Sequence, residues 1–562
     1  MTLPALAATV VVILILGYRF YGRLVARQFA LASTADTPAH RHEDGVDFVP
    51  TRPFYLFGQH FSAIAAAGPI VGPILACKEF GWAPALLWIT FGVVFIGAVH
   101  DFVTLVASVR HDARSIAEVV KNALGRRAWL AILTFIWLAL VYVIVAFVDI
   151  TASTFVSGDS EVKGLTFRFN QGGAVAMASS LYLALALVMG LVQRFAKPPL
   201  WLMTVIFVPA TFGMVWLGTE LSTVLTLDWH AWVILILVYC LVASVTPMWL
   251  LLQPRGYLGG FVLYAALAIG TLGILFGGYE IQQPAFTSFN TGKPNGLLFP
   301  FLFVTIACGA CSGFHGLVCS GTTSKQIDRE AHCHPIGYGA MLLEGFVAVI
   351  AVATVMIVAP DDNLKAGAIY AKGLGGFLHS LLGIDPMIAT TLGAMALSTF
   401  IFDTLDSATR LGRYILQELF DRRDAFTAVV TTLATVGVPL VFLLAANKNS
   451  FMLFWTLFGT SNQLLAALSL LAITVWLHRI GKPFWFTIIP MVLVFAVTAV
   501  SLVLQVGQLF DAAFGSARWI NGLVSVVLLG LALLLVFYAV RSWSSTKSNR
   551  DQLPRARVID PS

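Results

Sequence analysis

Residues 57–73 read FGQHFSAIAAAGPIVGP and lie inside an apolar run that extends from 54 to 80. Pro69 and Pro73 each lack the backbone N–H that an internal helical hydrogen bond needs, and a glycine precedes each of them. A helix through this stretch must break or kink. At membrane depth, backbone freed by a break is tolerated only where it is buried in protein or lines a polar cavity.

The residues around this break allow two interpretations. The first is a proline kink that serves only the packing of helices. The second is a substrate or ion site, which the repeated Gly-Pro pairs and the nearby polar side chains favour. On the second interpretation the candidate site residues are Gln59, His60, Ser62, Gly68, Pro69, Gly72 and Pro73.

The chain as a whole is strongly apolar. Hydrophobic residues make up 58% of its 562 residues and charged residues 11%, against roughly 25% charged in soluble domains. This composition excludes a soluble enzyme, a disordered protein and a nucleic-acid binder with a basic surface. Long unbroken apolar runs argue against a β-barrel. The sequence therefore predicts an all-α polytopic membrane protein whose principal partner is the lipid bilayer.

Fifteen apolar runs have about the length that crosses the hydrocarbon core, roughly 20 residues. A further glycine-rich run at 366–384 can form a re-entrant segment, so we expect about 15–18 transmembrane helices. They would form one domain over 1–540, followed by a short basic tail over 541–562. The fifteen runs are 3–18, 54–80, 82–108, 129–152, 174–193, 199–218, 231–252, 258–278, 298–320, 335–359, 388–409, 425–446, 451–477, 484–507 and 519–540.

Basic residues indicate the orientation. Lys and Arg number 34 against 28 Asp and Glu, a net charge of +6. They concentrate in alternate loops such as 109–128, whereas 153–173, 219–230 and 279–297 contain fewer. The positive-inside rule then predicts an N-terminus outside and a C-terminus in the cytoplasm. The first run has no preceding basic residue, which is typical of a retained helix rather than a signal peptide.

A second irregular run lies at 298–320 and continues into a polar stretch. Residues 308–325 read CGACSGFHGLVCSGTTSK. Close packing through small residues explains the glycines but not the histidine or the hydroxyl groups. By the predicted topology this run is antiparallel to 54–80, and two broken helices of opposite orientation indicate an inverted-repeat transporter with a site near the midplane. The candidate residues here are Ser312, His315, Ser320, Thr322 and Thr323.

Asp403 and Asp406 share one face of a predicted helix, with Arg410 four residues after Asp406. They form either a salt-bridged helix end at the cytoplasmic interface or a charged gate or coupling site. Asn462 and Gln463 interrupt another apolar run and either bridge helices or mark a third break.

Ionisable residues inside the other runs are functional candidates because they are costly in lipid. Asp101 is the one that we include in the predicted site. The others are His100, Asp149 and Glu344, of which Asp149 is the weakest because it lies near the end of its run.

Several long motifs occur in a fixed order along the chain, and through them the sequence resembles the carbon starvation protein family. They are FGQHFSAIAAAGPIVGP at 57–73, HEDGVDFVPT at 42–51, AVHDF at 98–102, GFHGL at 313–317, SGTT at 320–323, IGYGAM at 336–341, LDSATRLGR at 405–413 and FGTSNQLL at 458–465.

This resemblance implies a transporter of peptides or, in some members, pyruvate in the bacterial inner membrane, made in response to carbon starvation. It also implies a LeuT-like core of two inverted repeats with additional helices. The sequence departs from the family at Gln59, where a histidine is frequent, and at Ser324, where a proline is common.

We therefore expect secondary uptake of a peptide or small carboxylate such as pyruvate, coupled to H⁺ rather than Na⁺. No Walker motif is present, so the sequence does not support ATP-driven transport. We expect no enzymatic activity, no cofactor, no metal and no nucleic-acid partner. Proton coupling needs a group that changes its charge, and the candidates are His60, His315, Asp101, Glu344 and Asp406. We expect both His60 and His315 to approach a central cavity.

Two alternatives belong to other classes of protein. A channel or nutrient sensor without coupled transport would need a continuous pore or an output domain. A membrane enzyme would need a metal site, for which the sequence offers one Cys/His cluster, although small-residue packing is the simpler account of its cysteines. That cluster comprises Cys308, Cys311, His315, Cys319, His332, Cys333 and His334.

Overall fold

The chain is an all-helical membrane protein. The computed structural model describes residues 2–34, 36–44, 47–65, 67–156, 169–293, 295–360, 364–422, 424–445 and 451–546. Across these residues there is no β-strand, and only two isolated β-bridges occur, Thr51–Ile327 and Asn290–Leu297. The predicted basic tail lies outside the described residues from 547 onward.

Twenty-two α-helices make up the described chain. The first half contains α1 (Leu3–Leu16), α2 (Arg23–Arg27), α3 (Pro38–Arg41), α4 (Pro53–Ile64), α5 (Gly68–Phe80), α6 (Trp82–Gly92), α7 (Ala98–Arg110), α8 (Ile116–Leu124), α9 (Arg126–Phe155), α10 (Gln171–Phe195), α11 (Leu200–Glu220), α12 (Trp229–Val245) and α13 (Leu252–Phe276). The second half contains α14 (Leu298–Thr305), α15 (Gly313–Gly321), α16 (Ala340–Met356), α17 (Ala366–Leu382), α18 (Pro386–Leu419), α19 (Ala425–Ala445), α20 (Phe451–Arg479), α21 (Trp485–Asp511) and α22 (Ala517–Thr546).

Twelve helical segments of the described chain are long and apolar enough to cross a membrane, and the bent pair α4–α5 makes a thirteenth. All fifteen predicted runs correspond to helix. Three of them are not single long helical segments: 54–80 is the bent pair, 231–252 is the shorter α12, and 298–320 is divided into α14 and α15. The run 82–108 is one segment, Trp82–Arg110, because a π-helical stretch at Val93–Gly97 joins α6 to α7. The sequence therefore predicted which segments are helical, but not where each helix begins and ends.

The glycine-rich run at 366–384, expected as a possible re-entrant segment, forms one continuous helix, α17. Gly367, near its start, lies against Thr154 at the end of α9. Phe377, ten residues later, packs on Gly273 near the end of α13. From the end of α9 to the end of α13 the chain passes through four helices, α10 to α13. An even number of helices returns the chain to the side from which it started, so the ends of α9 and α13 lie on the same side of the bundle. Thus both halves of α17 contact the same end of the bundle.

Short polar residues determine where several helices begin. Ser115 accepts a hydrogen bond from the backbone N–H of Glu118 and caps α8. Asp385 accepts one from Met387 and caps α18. Such caps satisfy N–H groups that have no partner in the first turn. Gly383 ends α17 in the left-handed conformation, with φ of 66°, which glycine adopts without strain.

The two irregular spans are antiparallel, as their end contacts demonstrate. At one end, the N–H of Thr51, just before α4, donates to the carbonyl of Gln326, just after α15. At the other end, the N–H of Thr287, in the segment before α14, donates to the carbonyl of Phe80, the last residue of α5. The predicted opposite orientation of these two spans is therefore confirmed.

Candidate functional site

The first span breaks just before the first of its two Gly-Pro pairs, and the second pair lies inside α5. Helix α4 ends at Ile64 and α5 begins at Gly68, and the two helices are bent by 48°. Pro69 lies in the first turn of α5, where an N–H would have no helical partner, so proline is favourable there. Pro73 lies inside α5 and removes one internal hydrogen bond. Both prolines are buried.

The second span breaks between Thr305 and Gly313, and side chains from other helices bind the exposed backbone. Trp455 donates to the carbonyl of Thr305 at 3.2 Å, and Trp88 donates to that of Ile306 at 3.3 Å. Gln463 donates to the carbonyl of Phe303 at 2.9 Å. These bonds satisfy carbonyl groups that would otherwise be unpaired in an apolar interior.

Asn462 stabilises the start of α15. Its Oδ1 accepts a hydrogen bond of 2.9 Å from the N–H of Phe314, and its Nδ2 donates to the hydroxyl of Ser312 at 3.1 Å. Helix α20, which contains Asn462 and Gln463, is continuous from Phe451 to Arg479. Of the two interpretations, helix bridging is therefore correct and a third break is not.

The two broken spans cross in direct contact. A Cβ on Gly72 would lie 2.3 Å from the carbonyl oxygen of Thr305, and one on Gly68 would lie 2.4 Å from the Sγ of Cys308. Only glycine permits this approach of backbone to backbone. The two breaks therefore lie in contact with one another.

Four ionisable side chains meet beside this crossing. Asp101 on α7 accepts hydrogen bonds from two imidazoles: Oδ1 from Nδ1 of His100 at 2.8 Å and Oδ2 from Nδ1 of His315 at 2.9 Å. The Nε2 of His315 lies 3.3 Å from Oε2 of Glu344 on α16. All four residues are at most 1% exposed. We call His100, Asp101, His315 and Glu344 the central cluster.

The central cluster contains polar atoms without a protein partner. Among the described residues, Oε1 of Glu344 and Nε2 of His100 have no hydrogen-bond partner, and Oε2 of Glu344 has only the ion pair with His315. The hydroxyl of Thr104, also on α7, is buried and has no hydrogen-bond partner in the part of the chain that the structure describes. Buried polar groups in proteins are usually hydrogen-bonded, so these atoms have capacity for a further hydrogen bond.

His60 is buried on α4 but lies outside the central cluster. Its Nδ1 is 2.9 Å from the hydroxyl of Thr323, just after α15, so the pair joins the two broken spans. Its Nε2 has no partner among the described residues. That both His60 and His315 line a central cavity stays a prediction.

A second charged cluster surrounds Arg255, which lies between the predicted runs 231–252 and 258–278. Arg255 on α13 is fully buried and pairs with Asp403 at 2.6 Å and with Asp406 at 2.6 Å. Tyr239 donates to Oδ2 of Asp406 at 2.9 Å. Arg410 instead donates to the carbonyls of residues 243 and 246. We call Arg255, Asp403, Asp406 and Tyr239 the arginine cluster.

Among the described residues, Asp403 and Asp406 pair with Arg255 and not with Arg410, so the salt-bridged helix end with Arg410 is not found, while a role as a gate or coupling site stays a prediction. Arg410 follows Asp406 by one helical turn, and that local spacing suggested the pair. The aspartates pair with the buried Arg255 instead, because a guanidinium with no access to water needs carboxylates nearby. No local spacing could have identified Arg255, which is 148 positions from Asp403.

The remaining predicted site residues have other environments. Gln59 and Thr322 are exposed, and Ser62 is partly buried. Ser320 accepts a hydrogen bond from the N–H of Ile116 and so anchors the start of α8. Asp149, the weakest candidate, accepts a hydrogen bond of 3.0 Å from Trp229.

The cysteines and histidines considered for a metal site do not converge. In the part of the chain that the structure describes, no three His, Cys, Asp or Glu side chains are arranged to hold a metal ion. Cys308 instead packs on Gly68 and accepts a hydrogen bond from Asn462 at 3.3 Å.

Two crossed, broken spans with buried ionisable groups beside them are the architecture of a secondary membrane transporter. A family model described as carbon starvation protein CstA matches residues 3–368 and 362–501. The chain belongs to this family.

Curated relatives match most of the chain. A protein named peptide transporter CstA from Bacillus subtilis is 31% identical and covers 96% of this chain and 97% of its own. A protein of the same name from Helicobacter pylori J99 is 31% identical over 87% of this chain and 80% of its own. The pyruvate/proton symporter BtsT of Escherichia coli is 30% identical over 85% and 78%.

Among solved structures, a manganese transporter from Eremococcus coleocola aligns over 88% of this chain and 95% of its own. The identity is 14% and the TM-score is 0.43, which is too low to bear on the fold.

Proposed function

We propose that this protein is a secondary transporter that takes up peptides or small carboxylates such as pyruvate together with protons. The central cluster carries the proposal. It combines two imidazoles and two carboxyl groups at separations of 2.8 to 3.3 Å, and all four side chains are buried. The names of the relatives, a peptide transporter and a pyruvate/proton symporter, support the substrate class and the coupling ion.

The chemistry of the central cluster suits proton exchange. Two ionised carboxylates would carry a charge of −2, and two imidazolium groups would balance it. Gain or loss of one proton thus changes the net charge of a buried site, which is costly unless the surroundings rearrange. Histidine is the side chain whose ordinary pKa, about 6.5, lies nearest neutrality.

The position of the central cluster connects proton binding to movement. His315 belongs to α15 of the second broken span, whereas its partners belong to α7 and α16. A change in the orientation of α15 would alter both of its contacts. A ligand shifts a conformational equilibrium only through different affinity for the two states. Such a difference in proton affinity is what coupled transport requires.

Charge distribution supports a further part of the proposal. We place the N-terminus outside and the C-terminus in the cytoplasm of the bacterial inner membrane, with residues 1–540 as one transport domain. The basic loop 109–128 would then be cytoplasmic, in agreement with the positive-inside rule.

Transport by purified protein in proteoliposomes tests the proposal. Uptake of labelled pyruvate and of labelled alanyl-alanine is measured with and without an imposed gradient that is acidic outside. We expect accumulation above equilibrium only with the gradient, and its loss when a protonophore is added. Equal uptake with and without the gradient would instead indicate a channel or uncoupled carrier.

A further inference from the structure

Helices α7 and α15 pack against one another through small and polar residues. On α7 these are His100, Thr104 and Ser108, which are spaced four residues apart and therefore share one face of the helix. On α15, Gly316 and Ser320 have the same spacing. All five residues are buried. A line of polar groups thus follows the interface of these two helices inside the protein.

Gly316 lies directly against this face of α7. A Cβ at position 316 would lie 3.3 Å from Nε2 of His100 and 3.6 Å from the methyl carbon of Thr104. The Nε2 atom of His100 therefore faces α15, whereas Nδ1 of the same ring is bonded to Asp101 at 2.8 Å. The imidazole of His100 thus joins the central cluster to the interface between α7 and α15.

Two side chains beside Gly316 have capacity for further hydrogen bonds. Within the described residues, Nε2 of His100 and the hydroxyl of Thr104 have no hydrogen-bond partner, and both residues are fully buried. Glycine at position 316 leaves open the space that a larger side chain would fill. A water molecule held there would satisfy both atoms, which is the usual role of buried water in proteins.

Hydroxyl groups continue the line toward the end of α7. The Oγ atom of Ser108 donates to the carbonyl of Arg114 at 2.7 Å and lies 3.4 Å from the carbonyl of Ser320. Ser320 donates to the carbonyl of Gly316 at 2.6 Å, and Ser324, just after α15, donates to the carbonyl of Ser320 at 3.1 Å. The line therefore reaches the loop between α7 and α8.

Six residues make up this line, and we call them the polar seam: His100, Thr104, Ser108, Gly316, Ser320 and Ser324. At about 1.5 Å per residue along α7, the seam extends about 12 Å from His100 to Ser108. The central cluster lies at its inner end. At its outer end Arg110 pairs with Glu330 at 2.6 Å. The loop at the outer end belongs to the basic region 109–128, which we place in the cytoplasm.

We propose that the coupling proton passes from the central cluster to the cytoplasmic end of α7 along the polar seam, with His100 as the group that takes it from Asp101. This inference rests on the proposed function. Histidine can act as a proton shuttle, because one ring nitrogen can accept a proton while the other releases one.

The transfer step balances in protons and charge. Nδ1 of His100 accepts the proton of the protonated Asp101 carboxyl group, and Nε2 releases its own proton to a water molecule beside Thr104. Asp101 becomes an ionised carboxylate, His100 stays neutral in its other tautomer, and the water molecule carries the proton toward Ser108. Nδ1 then donates to the carboxylate of Asp101, which is the direction of the hydrogen bond described for the central cluster.

Thr104→Val tests the seam, because valine has the shape of threonine but no hydroxyl group. Proteoliposomes are loaded for two assays with the substrate that the wild type takes up, pyruvate or alanyl-alanine. We expect uptake driven by a gradient that is acidic outside to become about tenfold slower, the factor for one lost hydrogen bond in the transfer path. Exchange of labelled for unlabelled substrate at equal pH on both sides needs no proton release and should keep its wild-type rate.

Three further variants separate proton transfer from fold. Thr104→Ser keeps the hydroxyl and should retain gradient-driven uptake. Gly316→Ala fills the space beside Nε2 of His100 and should reproduce the effect of Thr104→Val in both assays. Thr391→Val on α18 is the matched control, because Thr391 also has a fully buried hydroxyl without a partner among the described residues but lies outside the seam. It should change neither assay.

The two assays also separate failure of the seam from failure of the proposed function. If wild-type uptake depends on the proton gradient and Thr104→Val behaves like the wild type, the transport function stands and the seam is wrong. An equal loss of uptake and exchange in Thr104→Val would indicate a structural role for the hydroxyl and would also overturn the seam. If the wild type exchanges substrate but shows no gradient-driven accumulation, the coupling proposal is wrong and the seam is wrong with it.

Discussion

The Nδ1 atom of His315 lies 2.9 Å from Oδ2 of Asp101, although 214 positions separate the two residues. This contact joins α15 of the second broken span to the unbroken α7. Asp101 also binds His100, its neighbour in the chain. A single buried carboxylate thus connects two imidazoles, and one of them belongs to the second broken span.

The first prediction concerns His315. Glutamine keeps a side chain of similar reach that can donate a hydrogen bond to Asp101, but it does not titrate near neutrality. We expect His315→Gln to reduce gradient-driven accumulation by about 100-fold, on the scale of losing a proton-transfer group. The measurement is uptake into proteoliposomes across a series of external pH values. The exposed His379 provides the matched control, and His379→Gln should leave uptake unchanged. Normal accumulation with a normal pH profile in His315→Gln would exclude this histidine as the proton carrier.

The second prediction concerns Asp101 and stability. Asp101→Asn removes the charge that two buried imidazoles share, and breaking a buried pair costs about 3–5 kcal/mol. We expect a lower temperature of unfolding in detergent together with loss of coupled uptake. Asp511→Asn changes an exposed aspartate at the end of α21 and should change neither. An unchanged unfolding temperature in Asp101→Asn would mean that the imidazoles do not depend on this carboxylate.

Much of the fold was accessible from the sequence because local chemistry determines it. Pro69 and the glycine before it cannot continue a helix, so the first break was predictable from adjacent residues. Apolar runs of sufficient length predicted the spans. The length of α12 and the continuity of α17 were not predictable in this way. Packing against neighbouring helices determines where these two helices end and on which side of the bundle they lie.

The clusters were harder to predict because long-range contacts create them. His315, Asp101 and Glu344 each appeared as isolated candidates, and only the fold brings α15, α7 and α16 together. Arg255 has the position of a loop cation in a hydropathy profile, yet it is fully buried. An ionisable residue next to the end of a predicted span can lie either inside the buried helix or in the loop beyond it. The sequence contains no signal that distinguishes these two positions.

The third prediction concerns the contact between the two breaks. A Cβ at Gly72 would meet the backbone of Thr305, which cannot rotate away as a flexible side chain can. We expect Gly72→Ala to destabilise the protein by about 1–3 kcal/mol, as overpacking does, and to reduce uptake. Gly213→Ala is the control, because nothing lies within 4 Å of that position on α11. The unfolding temperature of both variants is measured in detergent. If Gly72→Ala were as stable as Gly213→Ala, the two spans could move apart at this position without loss of stability.

The fourth prediction concerns orientation. All six cysteines of the chain are buried, so an introduced exposed cysteine should label above a low background. A maleimide that does not cross membranes, applied outside intact cells, should label Glu280→Cys and not Arg114→Cys. Permeabilised cells should label both. External labelling at 114 and none at 280 would reverse the proposed topology.

The last prediction concerns the arginine cluster. Arg255→Gln would leave Asp403 and Asp406 without their cation in a buried site, which is expected to cost about 3–5 kcal/mol. Adding Asp403→Asn and Asp406→Asn removes the stranded charges, so the triple variant should regain much of the stability. The exposed Arg127 supplies the control, and Arg127→Gln should unfold like the wild type. Uptake by the triple variant distinguishes a structural role of the arginine cluster from a role in proton coupling. If the triple variant folds and transports with a normal proton dependence, the cluster serves stability alone. If it folds but accumulates no substrate, the two aspartates take part in coupling alongside the central cluster.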